Sequence, residues 1–323
     1  MGTVAVTSAL PGDALLRLAK FHGVRVHPGG SPLDGRELVE FAAGADALIA
    51  LLADNVDASV FAGCPRLKIV ANVAVGFNNI DAEAARAAGV WVTNTPDVLT
   101  EATADLTWAL ILAVTRRLVE GDRVLRGGGF LGWKPDFMLG AGLQERRLGI
   151  VGMGRIGRAV ARRAVGFAVS VCYHDREPVP AEEASGAEFV PILDEILPRV
   201  DILSLHCPLN EATRHLLDAR RLHLLPKGSF VINTSRGEVI DEAALAGALE
   251  DGHLGGAGLD VYEHEPVVHP GLLGRRDVVL LPHVGSATLA ARSAMANLAV
   301  DNVLAVLSGR EPPAPVVTPT AKG

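Results

Sequence analysis

Arg236, Glu265 and His283 are ionisable residues that follow predicted strands in the second half of the sequence, beside Asn233-Thr234-Ser235 and Asp260. Strand ends along one edge of a parallel sheet face one crevice, so residues placed there converge. Their types suit one chemistry. Arginine holds a carboxylate through two parallel N–H bonds. Histidine gives a proton to an oxygen as negative charge develops on it. A neighbouring glutamate orients the ring and favours its protonated form. Together they suit hydride transfer to a carbonyl that stands next to a carboxylate. Taken singly, Arg236 reads as a surface ion pair, Glu265 as a loop charge and His283 as a satisfied buried histidine. The closeness of His253, His264, His269 and His283 raises a metal site as the competing idea. None has HExxH spacing and no CxxC pair accompanies them, so no metal is expected.

Hydride chemistry needs a bound carrier, and residues 147–176 (RLGIVGMGRIGRAVARRAVGFAVSVCYHDR) are patterned to hold one. An apolar run over 148–151 leads into Gly152-Met153-Gly154-Arg155-Ile156-Gly157, then a helical pattern ending near Gly166, a second apolar run over 168–173, and Asp175. Gly152 permits the turn, Gly154 lets backbone approach a pyrophosphate, and Gly157 lets the helix pack on the sheet. The helix N-terminus offers free N–H groups and a positive dipole end to phosphates. Asp175 lies eighteen residues after Gly157, close to the spacing of about 20 at which a carboxylate meets a ribose diol. A lone GxGxxG is a weak signal; strand, turn, helix, strand and acid in this order predict a dinucleotide site.

These residues need a parallel sheet to carry them. Strands are predicted over 4–6, 24–27, 47–52, 67–71 and 90–92, with helices over 13–19, 35–43 and 82–88, and a break at Thr95-Pro96. The alternation predicts a small doubly wound α/β domain. The loop over 72–81 follows the fourth strand and is placed to touch a ligand. A long helix is predicted over 100–121. The Gly-rich stretch 126–142, with Trp133, reads as an arm that either covers a cleft or makes a dimer contact. Further strands over 200–206, 228–233, 257–261 and 278–281, with a helix over 242–250 among those between them, complete a six-strand cofactor domain. Residues 286–308 are helical and are expected to pack back on the first domain, and 312–323 reads as a loose tail.

Composition narrows the class. At 323 residues the prior is about two domains. Hydrophobic residues make up 49% and charged residues 21%, enough for large cores and against disorder. The net charge of −7, with no basic run, makes nucleic acid and anionic membranes poor partners. Cys64, Cys172 and Cys207 show no framework spacing; Cys172 and Cys207 sit in apolar runs and read as buried small hydrophobes. No secretory leader or lipidation signal is expected, and the longest apolar helix candidate, 106–114, runs into Arg116-Arg117. A soluble cytoplasmic protein is expected.

The motifs VAVGFNNID, TPDVLTEATADL, GIVGMGRIGR, INTSRGEVID, GLDVYEHEP and LPHVGSAT, in that order, are similar to those of the D-isomer-specific 2-hydroxyacid dehydrogenases over nearly the full length. The resemblance implies a Rossmann cofactor domain over 100–286 inserted into a smaller flavodoxin-like substrate domain formed by 1–99 and 287–323. It implies catalytic roles for Arg236, Glu265 and His283. It implies cofactor contacts at Gly152, Gly154, Arg155, Ile156, Gly157, Asp175, Arg176, Cys207, Pro208, Thr213, Thr234, Asp260, Gly285 and Thr103. Substrate contacts are implied at Val75, Gly76, Arg236, His283, Ser286 and Trp133, with the Val75 and Gly76 amides completing a carboxylate clamp.

Within that family the chain looks most like glyoxylate and hydroxypyruvate reductases, through TPDVLTEATADL and the loop GWKPDFMLGAGL. The implied substrate is a small 2-oxo acid reduced to the D-2-hydroxy acid, and the implied assembly is a homodimer. Phosphite dehydrogenases carry Lys where Val75 stands, and formate dehydrogenases carry Gln where Glu265 stands. No regulatory domain is expected after residue 310, unlike many 3-phosphoglycerate dehydrogenases, which remain the nearer alternative; a cofactor-sensing corepressor is the non-catalytic one. Asp175 favours the free diol of NAD, while Arg176 could accept the 2′-phosphate of NADP. NAD is the expected cofactor, with NADP as the alternative.

Overall fold

Short apolar runs between turn residues recur along the chain, and each becomes a strand of one of two sheets. The computed structural model describes residues 1–29 and 33–319. It divides into Met1–Leu99 with Ser286–Gly323, and Thr100–Gly285. The second division falls after Gly285, so Ser286 lies in the first unit rather than the second.

The first unit opens with β1 (Thr3–Val6), α1 (Ala14–Ala19), β2 (Gly23–Val26), α2 (Gly35–Ala42), β3 (Ala47–Ala50), α3 (Ala58–Gly63), β4 (Ile69–Asn72), α4 (Ala82–Ala88) and β5 (Trp91–Thr93). β3 and β4 are buried at every position, which is why ALIA and IVAN show no polar alternation. The Asp81 side chain accepts the Ala84 N–H at 2.9 Å and so starts α4 where the loop after β4 ends.

The second unit runs α5 (Thr100–Thr115), α6 (Leu118–Arg126), β6 (Arg147–Val151), α7 (Arg155–Ala164), β7 (Ser170–His174), β8 (Glu188–Phe189), α8 (Leu193–Ile196), β9 (Ile202–Leu205), α9 (Ala219–Leu222), β10 (Ser229–Asn233), α10 (Glu242–Glu250), β11 (Leu254–Leu259), α11 (Pro270–Leu273) and β12 (Val278–Leu280). The single helix expected over 100–121 is two helices. Arg117 takes the left-handed conformation, φ 53°, and its guanidinium pairs with Glu120 at 2.8 Å. Among the described residues the sheet has seven strands, ordered β12-β11-β10-β9-β6-β7-β8 and all parallel. The extra strand relative to the expected six is β8, whose two residues are too few to show a period. Alternate side chains of β10 enter different cores, Val231 with Leu245 and Leu249, Ile232 with Trp108 and Ile150. The sheet is thus covered on both faces.

The chain then returns to the first unit as α12 (Leu289–Leu307) and β13 (Pro315–Val317). Ala296, Ala299, Val300 and Val303 of α12 pack with Val4, Ile49 and Ile69 of the first sheet. The segment expected as a loose tail from 312 instead adds a strand. β13 pairs antiparallel with β5, Val317 opposite Val92, and Val317 is buried. The rest of that expected tail, 320–323, lies outside the described residues. The first sheet is ordered β13-β5-β4-β3-β1-β2, a flavodoxin-like order with an added edge strand.

Candidate active site

In the second unit the strand order reverses between β6 and β9, and ligands of such sheets bind beyond the strand ends at that point. Gly152 follows β6 with φ +93°, and a Cβ there would stand 2.5 Å from the Cys207 amide nitrogen after β9. A Cβ on Gly157 would collide with the Gly152 carbonyl oxygen, whereas a Cβ on Gly154 would meet nothing within 4 Å. The outer glycines are therefore required by packing, while the middle one leaves open space in front of the first turn of α7. Gly154 caps that helix and makes no side-chain cap hydrogen bond, and a helix N-terminus of this kind suits an anion. Asp175 sits one residue past β7; its Oδ2 accepts the Met153 N–H at 2.7 Å and its Oδ1 the Arg176 N–H at 2.7 Å. The carboxylate is thereby fixed against the glycine turn. These features fit a dinucleotide.

Arg236, Glu265 and His283 follow β10, β11 and β12, three neighbouring strands. The His283 Nδ1 lies 2.9 Å and 3.1 Å from the two Glu265 oxygens, and its Nε2 has no hydrogen bond among the described residues. Glu265 also accepts the Tyr262 N–H at 3.1 Å. Burial opposes its charge, but the hydrogen bond and charge of His283, the Tyr262 N–H and the charge of Arg236 outweigh burial and hold its carboxyl below the usual value. Burial pulls the Arg236 guanidinium down, opposed by Glu265 and Glu238. Arg236 is half-buried, and its Nη1 donates to the Ser235 carbonyl at 2.7 Å.

Tyr262, Glu242 and Glu263, which the sequence did not single out, hold these loops together with Gly237 and Asp260. A Cβ on Gly237 would overlap the Tyr262 carbonyl, so the Arg236 loop lies directly on the Glu265 loop. Glu242 and Glu263 brace the same contact: the Glu263 N–H donates to Glu242 Oε1 at 2.8 Å, and the Glu242 N–H to Glu263 Oε2 at 3.4 Å. The Tyr262 hydroxyl donates to the Leu281 carbonyl at 2.7 Å, just before His283. His283 itself is left-handed, φ 52°. Its N–H donates to the Asp260 carbonyl at 2.9 Å, and the Val284 and Gly285 N–H groups donate to the two Asp260 carboxylate oxygens at 2.7 Å each. Asp260 is buried, and burial raises its pKa despite those bonds. The motif GLDVYEHEP carried Tyr262 and Glu263 beside the expected Asp260, but nothing in their types marked which of the two would face inward.

The remaining expected cofactor residues are spread along the same strand ends. The Thr234 hydroxyl pairs with that of Thr107 at 3.0 Å. Thr103, on the first turn of α5, is within 3.4 Å of where a Gly285 Cβ would be. Cys207 is buried, with its thiol pushed up to about 12 by desolvation. The Thr213 hydroxyl donates to the Pro208 carbonyl at 2.6 Å and closes that loop. Arg155 and Ile156 open α7. Trp133 is 82% exposed. In the first unit, Val75 and Gly76 lie in the loop after β4, and the Ser286 carbonyl accepts the Thr288 N–H at 2.7 Å, just before α12. Among the described residues no group of three His, Cys, Asp or Glu could hold a metal. His253 stacks on His223 at 4.7 Å, His269 caps α11 and His283 pairs with Glu265.

The chain is similar to known proteins over nearly its whole length. The model of the family described as D-isomer specific 2-hydroxyacid dehydrogenase, NAD binding domain, matches residues 108–285. A glyoxylate reductase of Thermococcus onnurineus (strain NA1) is 44% identical over 315 residues, covering 96% of this chain and 94% of that one. The crystal structure of the TT0316 protein from Thermus thermophilus has TM-score 0.92 and 47% identity, covering 98% of this chain and 100% of that chain. An NADPH-dependent glyoxylate/hydroxypyruvate reductase from Sinorhizobium meliloti, solved with NADP and malonate, has TM-score 0.85 and 34% identity, covering 98% and 96%.

Proposed function

Because the chain belongs to the D-isomer-specific 2-hydroxyacid dehydrogenases, a family of NAD(P)-dependent oxidoreductases, we propose that it reduces glyoxylate or hydroxypyruvate to the D-2-hydroxy acid. The observation that carries this reading is the His283–Glu265 pair, which leaves Nε2 of the imidazole without a hydrogen bond among the described residues, in the same unit as the glycine turn suited to a dinucleotide. The bound nicotinamide supplies the hydride. His283 Nε2 gives the proton to the carbonyl oxygen as charge develops there. Glu265 accepts from Nδ1, fixes the ring and offsets its positive charge. Arg236 holds the substrate carboxylate, and its charge is balanced by Glu265 and Glu238. Val75, Gly76, Ser286 and Trp133 are assigned further substrate contacts.

NAD is the proposed cofactor of preference, because the Asp175 carboxylate would repel a 2′-phosphate. The Sinorhizobium relative uses NADPH by its description, so the preference needs its own test. Initial rates with glyoxylate and hydroxypyruvate, each with NADH and NADPH, decide both points. Turnover with either acid and a higher kcat/KM with NADH is expected; cofactor binding without turnover of either acid overturns the reading.

A homodimer working in the cytoplasm is the proposed assembly and setting. Leu125, Phe130, Leu131, Trp133 and Leu139 expose apolar surface along α6 and the arm after it, and clustered exposed apolar side chains mark interaction surfaces. The three cysteines are unpaired and buried, in keeping with a reducing compartment. Among the described residues no helix is long and apolar enough to cross a membrane.

A further inference from the structure

Backbone N–H groups hold a carboxylate only where they are turned outward and kept there. In the loop after β4, three consecutive peptide carbonyls are each held by a donor of the same unit. The Thr95 N–H donates to the Ala74 carbonyl at 2.8 Å, Asn94 Nδ2 to the Val75 carbonyl at 2.8 Å, and Asn72 Nδ2 to the Gly76 carbonyl at 2.9 Å. A trans peptide is planar, with its C=O and N–H on opposite sides. The N–H groups of Val75, Gly76 and Phe77 therefore point away from the groups that hold these carbonyls. Among the described residues none of the three has an acceptor. Successive outward N–H groups form an anion-binding concavity, here at the carboxyl end of a parallel strand, where ligands bind.

The donors are themselves anchored. Asn72 is fully buried and also donates to Asn79 Oδ1 at 3.1 Å, while Asn79 Nδ2 reaches the Leu51 and Asp54 carbonyls at 3.1 and 3.0 Å. Behind Asn94, the buried Asn302 of α12 donates to the Asn94 carbonyl at 3.3 Å and accepts the Ala314 N–H at 3.0 Å. An asparagine in the otherwise apolar core of α12 thus has a specific task.

We propose that Asn94 and Asn72 are positioning residues for substrate: they fix the Val75–Gly76 and Gly76–Phe77 peptides so that the outward N–H groups receive the substrate carboxylate. The inference rests on the 2-oxo acid reading above. Neither side chain touches the substrate; each acts through the peptide it holds. Asn94→Asp places a carboxylate against the Val75 carbonyl and turns that peptide, whereas Asn94→Ser only loosens it.

The test measures kcat and KM for glyoxylate at saturating NADH, the inhibition constant of oxalate, and NADH affinity by fluorescence, in wild type, Asn94→Asp, Asn94→Ser and Asn72→Ser. KM and the oxalate constant should rise together, by about tenfold or more in Asn94→Asp, the scale of a lost charge-assisted hydrogen bond, and less in Asn94→Ser. The kcat and NADH affinity should stay near wild type. Unchanged KM and oxalate binding overturn the proposal, as does a parallel loss of NADH affinity and kcat, which would mark general loosening. Should Asn94→Asp not fold, the Asn94→Ser result decides. Absence of wild-type turnover would defeat the 2-oxo acid reading alone, because oxalate binding measured by calorimetry still reports on the loop.

Discussion

His283 reaches Glu265 from a left-handed backbone, φ 52°, a conformation that costs a non-glycine residue about 1–2 kcal/mol. Asp260 offsets that cost by binding the three N–H groups of His283, Val284 and Gly285 through its carbonyl and carboxylate. The family resemblance implied a nicotinamide contact at Asp260; its buried carboxylate also anchors the loop of the proposed proton donor. Side-chain type alone could not distinguish these roles, because both need a carboxylate at that strand end. The Glu265 pair has a thermodynamic sign. Burial works against the charged carboxylate, but His283, Tyr262 and Arg236 bring its folded value below the ordinary one. Its contribution to stability is then full above the ordinary carboxylate value and is lost as pH falls through the depressed one. The thermal midpoint of wild type should exceed that of Glu265→Gln near neutral pH, and the gap should narrow as pH falls below about 4.3. A gap that widens as pH falls below about 4.3 would contradict the pairing.

At the scale of elements, glycines decide how closely the site's loops approach. Gly237 lies on the Tyr262–Glu263 backbone and Gly157 on the Gly152 carbonyl. The substitution Gly237→Ala should cost about 1–3 kcal/mol, as overpacking does, and lower kcat by separating the Arg236 and Glu265 loops. Denaturant unfolding and initial rates check this, and an unchanged midpoint would refute the contact. The glycine turn of residues 152–157 was legible because strand, turn, helix, strand and acid lie within one local stretch. Strand ends bearing Arg236, Glu265 and His283 were legible for the same reason: an apolar run precedes each. By contrast β8 has too few residues for a period, and β13 exists only through pairing with a strand more than two hundred positions away. The break between α5 and α6 depends on the backbone of Arg117 and its Glu120 partner, which a hydrophobic period cannot report. The Asn94 and Asn72 contacts were likewise hidden, since an asparagine in a loop reads as turn chemistry until its partner is known.

For the whole molecule, two sheets with reversed strand order each present loops at the carboxyl ends of parallel strands, and each carries part of the proposed chemistry. The alternation of strands and helices made that architecture readable from the sequence, whereas assembly depends on a surface that no periodicity describes. Leu131 and Trp133 are 89% and 82% exposed, so sedimentation equilibrium should give twice the 33.8 kDa chain mass, and Leu131→Asp with Trp133→Asp should shift it toward the single chain. A wild-type chain that sediments singly at assay concentration would remove the dimer from the account. The mechanism turns on His283 as the proton donor in D-specific reduction of a 2-oxo acid. Its most direct test is hydroxypyruvate turnover with NADH by wild type and His283→Ala, with the handedness of the glycerate determined. Wild type should give D-glycerate, and His283→Ala should lose about a hundredfold or more in kcat with NADH affinity near normal. Formation of L-glycerate, or retained turnover in His283→Ala, would contradict this mechanism.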